Sequence, residues 1–181
     1  MSARTLYLLS YRSQDRERAH FAIFVPYATG KDGTLIHVVG APMAGYALQF
    51  KRQYNPEMSQ TRYQIFPIGQ INSQFIHDWA GERGSDGTPR GNLEQVAAQI
   101  PPPRVSENFL APVNNTTNRR CQEWTMDFVR RLVEINYVDS SAADIVQSKR
   151  DPPTHGVGME RNGCGKSRSN ESPSFHQCPI S

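Results

Sequence analysis

Along the chain, apolar positions first come in short blocks bounded by turn residues, and only later at helical spacing. Residues 5–11 (TLYLLSY), 20–25 (HFAIFV) and 33–39 (GTLIHVV) are short runs rich in aromatic and branched side chains, which predicts strands. The charged stretch 12–19 (RSQDRERA) predicts a solvated connection between the first two. The turn-rich ATGKDG at 28–33 predicts an antiparallel hairpin joining the second and third. A hairpin register that sets His20 directly opposite His37 puts both imidazoles on one face, whereas a slip of one residue would separate them. After a turn at 40–45 (GAPMAG), residues 46–51 (YALQFK) and 62–66 (RYQIF) extend the sheet, with Pro67 and Gly69 marking a bend.

Beyond residue 80 the period changes. Residues 81–91 (GERGSDGTPRG) read as a loop. Asn92 then caps a short helix in which Leu93, Val96, Ala97 and Ile100 recur at helical spacing, and Pro101, Pro102 and Pro103 end it. Residues 104–116 read as an irregular crossing. The longest helix is expected to start with Thr117 or Asn118 as its cap. Cys121, Trp124, Phe128, Leu132 and Ile135 repeat at three- and four-residue spacing and share the face that docks on the sheet, leaving Arg130, Arg131 and Glu134 outside. From residue 148 the chain is polar and without periodicity. The expectation is an α+β fold, a small antiparallel sheet packed against two helices in one domain over residues 1–147, followed by a disordered polar tail over 148–181.

Composition narrows the function classes. With Lys+Arg 20 against Asp+Glu 17 the net charge is only +3, and the basic residues are scattered, so no nucleic-acid surface is advertised. Three widely separated cysteines make no disulfide framework, which fits a reducing compartment, and the cytoplasm is the expected location. The apolar stretch Leu6, Tyr7, Leu8, Leu9 is shorter than a signal-peptide core, and no stretch approaches the length of a membrane span, so no membrane anchor is expected. In the tail, Gly165, Lys166 and Ser167 lack the first glycine of a phosphate-binding loop. His155, Cys164, His176 and Cys178 match no zinc spacing, so neither a metal nor another cofactor is expected.

The chemistry-bearing stretch is Arg119-Arg120-Cys121-Gln122-Glu123-Trp124. A cysteine in the first turn of a helix feels the positive end of the macrodipole, and two arginines add charge, so a readily formed thiolate is expected at Cys121. Nucleophilic cysteine catalysis also needs a base and a group that orients the base. His20 and His37, on neighbouring strands, are candidates for those roles.

The order of these residues resembles the circularly permuted papain-like fold, as in the lecithin:retinol acyltransferase family, where the histidine strand precedes the cysteine helix. The segments that carry the resemblance are His20-Phe21-Ala22-Ile23-Phe24-Val25, Leu35-Ile36-His37-Val38 and Cys121-Gln122-Glu123-Trp124. The chain is more closely similar to a family of uncharacterised fungal proteins with the same Tyr-Leu-Leu opening, His-aromatic strand, Gly-Thr-Leu-Ile-His strand and Cys-Gln-x-Trp helix. It departs from the acyltransferases in having Arg120 before the cysteine, a longer hairpin turn and no hydrophobic C-terminal anchor. The resemblance implies a soluble cysteine-dependent acyl-transfer enzyme, a hydrolase or acyltransferase acting on a thioester, ester or amide of a small acyl substrate. In it Cys121 is the nucleophile, His20 the base and His37 its orienter. The alternative is a non-enzymatic accessory or binding protein on the same fold, attached to a fungal biosynthetic pathway.

Overall fold

The computed structural model describes residues 2–157. Its frame is a six-stranded antiparallel sheet built from β1 (Ala3–Tyr11), β2 (His20–Pro26), β3 (Gly33–Ala41), β4 (Gly45–Tyr54), β5 (Tyr63–Asn72) and β6 (Gly84–Asp86), in the order β5-β1-β2-β3-β4-β6. Among the described residues three α-helices accompany it: α1 (Gly91–Ala98), α2 (Cys121–Glu134) and α3 (Ser141–Lys149). The α+β expectation holds at this level.

Strand alternation sends side chains to two unequal cores. Leu6, Leu8, Phe21, Ile23, Val25, Ile36, Val38 and Phe50 meet Leu93, Val96, Trp124, Phe128, Leu132, Ala142 and Val146, so all three helices contribute to one large core on one side. On the opposite side Leu9, Ala22, Phe24 and Leu35 form a small cluster edged by Tyr7, Tyr11, Tyr54 and Tyr63. The docking face expected for α2 is correct. Cys121, Trp124, Phe128 and Leu132 are all in the large core, and Trp124 Nε1 donates to Ile100 O at 3.0 Å.

Four expectations need correction. β5 does not stop at Phe66 but runs on through Pro67 to Asn72, with a register shift where Leu6 faces Gly69 and Tyr7 faces Pro67. It is an edge strand, and an edge strand with a bulge is where proline's missing N–H costs least. Within the expected loop 81–91, Gly84–Asp86 pairs with β4, held by Arg52, whose guanidinium joins Asp86 and the buried Glu94 at 2.9 and 2.6 Å. A third helix, α3, follows α2, although its sequence offers little beyond Ala142 and Val146 as a buried face. The folded part does not end at residue 147, because Asp151 Oδ1 pairs with Arg12 and its Oδ2 accepts from the Ala19 N–H, tying residues 150–157 to the β1–β2 connection. The rest of the expected tail, residues 158–181, with Cys164, His176, Cys178 and the Gly165-Lys166-Ser167 run, lies outside the described residues.

Candidate functional site

The site begins with a ladder that stops early. β2 and β3 pair only from Ile23 opposite Ile36 to Pro26 opposite Gly33. That register is offset by two residues from the one that would set His20 directly opposite His37. A shift of two preserves the face of every side chain, so both histidines still project to the same side. Residues 20–22 of β2 and 37–41 of β3 are paired on their outer sides, to β1 and β4, but not to each other. The sheet therefore has an opening between these two segments.

The two imidazoles close the opening on the side of the small core. His20 Nε2 and His37 Nδ1 are 2.8 Å apart, and His37 Nε2 lies 3.1 Å from Oε1 of Gln49, the residue opposite His37 on β4. With the Gln49 amide oriented so, its carbonyl oxygen can only accept, which fixes the rest of the chain. His37 Nε2–H donates to Gln49, His37 Nδ1 accepts, and His20 Nε2–H donates to it. His20 Nδ1 is then the nitrogen left with a free lone pair. Burial, and then the Lys51 charge, lower the His20 pKa from 6.5 to about 4. Burial, His20 and Lys51 lower that of His37 to about 3. Both rings are thus neutral around pH 7.

The start of α2 closes the opening from the helix side. Arg120, in extended conformation, is the N-cap residue, and its N–H donates to the Glu123 carboxylate at 3.0 Å, so Cys121 is the first helical residue. The cap expected at Thr117 or Asn118 is corrected: Asn118 is buried instead, and donates to the Ala111 and Pro112 carbonyls at 2.7 and 3.2 Å. Gln122 Nε2 donates to Ala19 O at 2.9 Å and to Asp151 Oδ2 at 2.8 Å, so the helix start replaces a strand at the unladdered edge of β2. The Cys121 thiol donates to the same Ala19 O at 3.8 Å, and the Phe21 N–H also bears on the sulfur. The sulfur thus lies against the two peptide groups that flank His20.

Of the three residues singled out by sequence, the structure joins His20 and His37 by a hydrogen bond and brings Cys121 to the backbone that carries His20. Among the described residues no hydrogen bond joins the sulfur to either imidazole. The expected low-pKa thiol is also corrected. Cys121 is 9 % exposed, and burial pushes the thiol up, offset only in part by the Phe21 N–H and Arg18 and reinforced by Glu123. The neighbouring arginines are engaged elsewhere, Arg119 with Asp127 and Arg120 with Phe109 O. Sequence shows the helix start and the positive charges but not the desolvation that outweighs them.

Beside the histidines lies a cleft of about 310 Å³, lined among others by Tyr11, His20, Leu35, His37, Lys51 and Tyr54. The Tyr11 and Tyr54 hydroxyls are 2.6 Å apart, and burial and this bond raise the Tyr11 pKa. Gln49, Lys51 and Tyr54 belong to no motif in the sequence. Their signal is the alternation in YALQFKRQY, where Leu48 and Phe50 face the large core and Gln49 and Lys51 must face away. Arg18, within the charged connection 12–19, carries no sequence signal either, yet bonds Gln122 and Glu123 at 3.0 and 2.9 Å.

Fold and site together define a small α+β protein with a polar hydrogen-bonded chain set into an opening of its sheet. The chain belongs to a family of unknown function, DUF6540, whose profile matches residues 6–139, a span that includes His20, His37 and Cys121. No curated protein and no solved structure matches it. No helix among the described residues is long and apolar enough to cross a membrane.

Proposed function

We propose that this protein is a soluble, cytoplasmic cysteine-dependent acyl-transfer enzyme of permuted papain-like arrangement, acting on a small acyl substrate. Cys121 is the nucleophile, His20 the base, and His37 holds His20. The observation that carries this reading is the directed chain His20 to His37 to Gln49, which leaves the basic lone pair on His20 Nδ1, in the residue whose flanking peptides touch the sulfur. A protonated thiol and a neutral imidazole make a competent resting pair once they meet, because the proton can move as the nucleophile attacks. Reaction requires a side-chain turn that brings Nδ1 to the sulfur, and such bonds commonly tighten only once substrate is bound.

The S–H proton passes to His20 Nδ1 as the S–C bond forms at the acyl carbonyl. The imidazolium is stabilised through its Nε2–H bond to neutral His37. Collapse breaks the bond to the leaving group, which takes the proton from His20. Water or an amine then attacks the thioester, gives its proton to His20, and the released sulfur recovers it.

The second reading is a binding protein that does no chemistry. It is favoured by the sulfur's bond to Ala19 O and by Cys121 not being among the cleft-lining residues. Acylation by 4-nitrophenyl acetate, followed by mass spectrometry of the Cys121 peptide, separates the two. The enzymatic reading expects a burst of nitrophenol and an acetyl adduct on Cys121, slowed by about a hundredfold or more in His20→Ala. An adduct that forms equally fast without His20, or none at all, leaves the binding reading standing.

A further inference from the structure

The substrate of this site has a recognisable charge partner. Lys51 lines the cleft together with both histidines, and it lies on β4 directly opposite Leu35, two residues from Gln49. Its ammonium sits 5.7 Å from the Tyr54 ring centroid and forms no ion pair among the described residues. The other cation on the wall, Arg18, is committed to Glu123 at 2.9 Å and to the Pro152 carbonyl at 2.9 Å. Glu17, the acidic side chain on the rim, is exposed. The remaining polar surface is neutral: two imidazoles, the Tyr11 and Tyr54 hydroxyls, and Ser13, Ser59 and Thr61.

We propose that the cleft binds a small carboxylate-bearing molecule, with the carboxylate on Lys51, flanked by the tyrosine hydroxyls, and the body of the molecule against Leu35 and the histidines. One uncompensated cation matches one negative charge, and a half-buried ammonium attracts an anion more strongly than a fully solvated one. A phosphate dianion calls for the clustered donors of an arginine fork or a glycine-rich loop, which this wall lacks. The cavity is at the small end of ligand sites, which suits a compact organic acid. That this acid is the acyl substrate rests on the catalytic reading above; that the cleft takes a carboxylate does not.

The test is calorimetric titration of the full chain with acetate, succinate and benzoate, alongside benzamide and inorganic phosphate. At least one carboxylate should bind saturably, benzamide should bind about tenfold or more weakly than benzoate if benzoate is the ligand, and Lys51→Met should lose that binding while Lys51→Arg keeps it. Equal binding to wild type and Lys51→Met, no binding of any of the three carboxylates, or phosphate binding more tightly than all of them would overturn the proposal. Carboxylate binding with no acylation of Cys121 removes the catalytic reading alone. Acylation that depends on His20, without carboxylate binding, removes this proposal alone.

Discussion

The two faces of the sheet are built on different principles. One is covered by three helices and closed by a continuous apolar core in which Trp124, Phe128 and Leu132 are fully buried. The other buries four apolar residues, then gives way to tyrosines, histidines and a lysine around an open cleft. The helix-covered face carries the stability, and that frees the other to hold buried polar groups that are costly to desolvate. A neutral histidine pair, His37 buried and His20 half-buried, is tolerable on a face the fold does not depend on for most of its hydrophobic stabilisation.

The largest single-site effect is expected from truncating each core. Trp124→Ala should cost about 4 kcal/mol, whereas Leu35→Ala, beside a cleft into which neighbours can relax, should cost about 2 kcal/mol. Urea unfolding of both variants measures this, and equal costs would mean that the faces are not energetically distinct. Next in size is a pH effect. The unfolded imidazoles take up protons near pH 6.5, while folded His20 and His37 do so only near about 4 and about 3. Stability is therefore fully present above pH 7 and declines as pH falls, by about 2 kcal/mol per histidine between pH 7 and pH 5. The depressed carboxylates, such as Asp86 and Asp151, lose their contribution at lower pH, so this window reports the histidines. Replacing His20 and His37 by glutamine should flatten the profile; a slope that persists would place its origin outside the cleft face. The smallest effect is expected from Tyr54→Phe, which removes one hydroxyl of the Tyr11 pair and should cost about 1 kcal/mol in the same unfolding measurement.

These contrasts were partly legible in the sequence. The first three strands, the docked face of α2 and the shared face of the histidines follow from alternation and helical spacing, which are local. Three things were not local. The hairpin register depended on how residues 27–32 turn, and it settled two residues away from direct opposition. α3 is short and fully buries only Ala142 and Val146, so its existence depends on α2 and β5 being there to receive it. The state of the Cys121 thiol depended on burial, which no run of neighbouring residues displays, and burial outweighed the helix start and the arginines. Lys51 and Gln49 were readable in principle, as polar residues alternating with core positions, once the fate of the opposite face was known.

The opening between β2 and β3 leaves a mark that isotope exchange can follow. Since the peptide edge at Ala19 and Phe21 is occupied by the start of a helix rather than by a neighbouring strand, any excursion that lifts Cys121 away also bares the Phe21 amide to solvent. Deuterium uptake at Phe21 and trapping of the thiol by an alkylating reagent should then report one event and yield one opening rate constant, slower for the pair than for the fraying of β6 at the sheet's far edge.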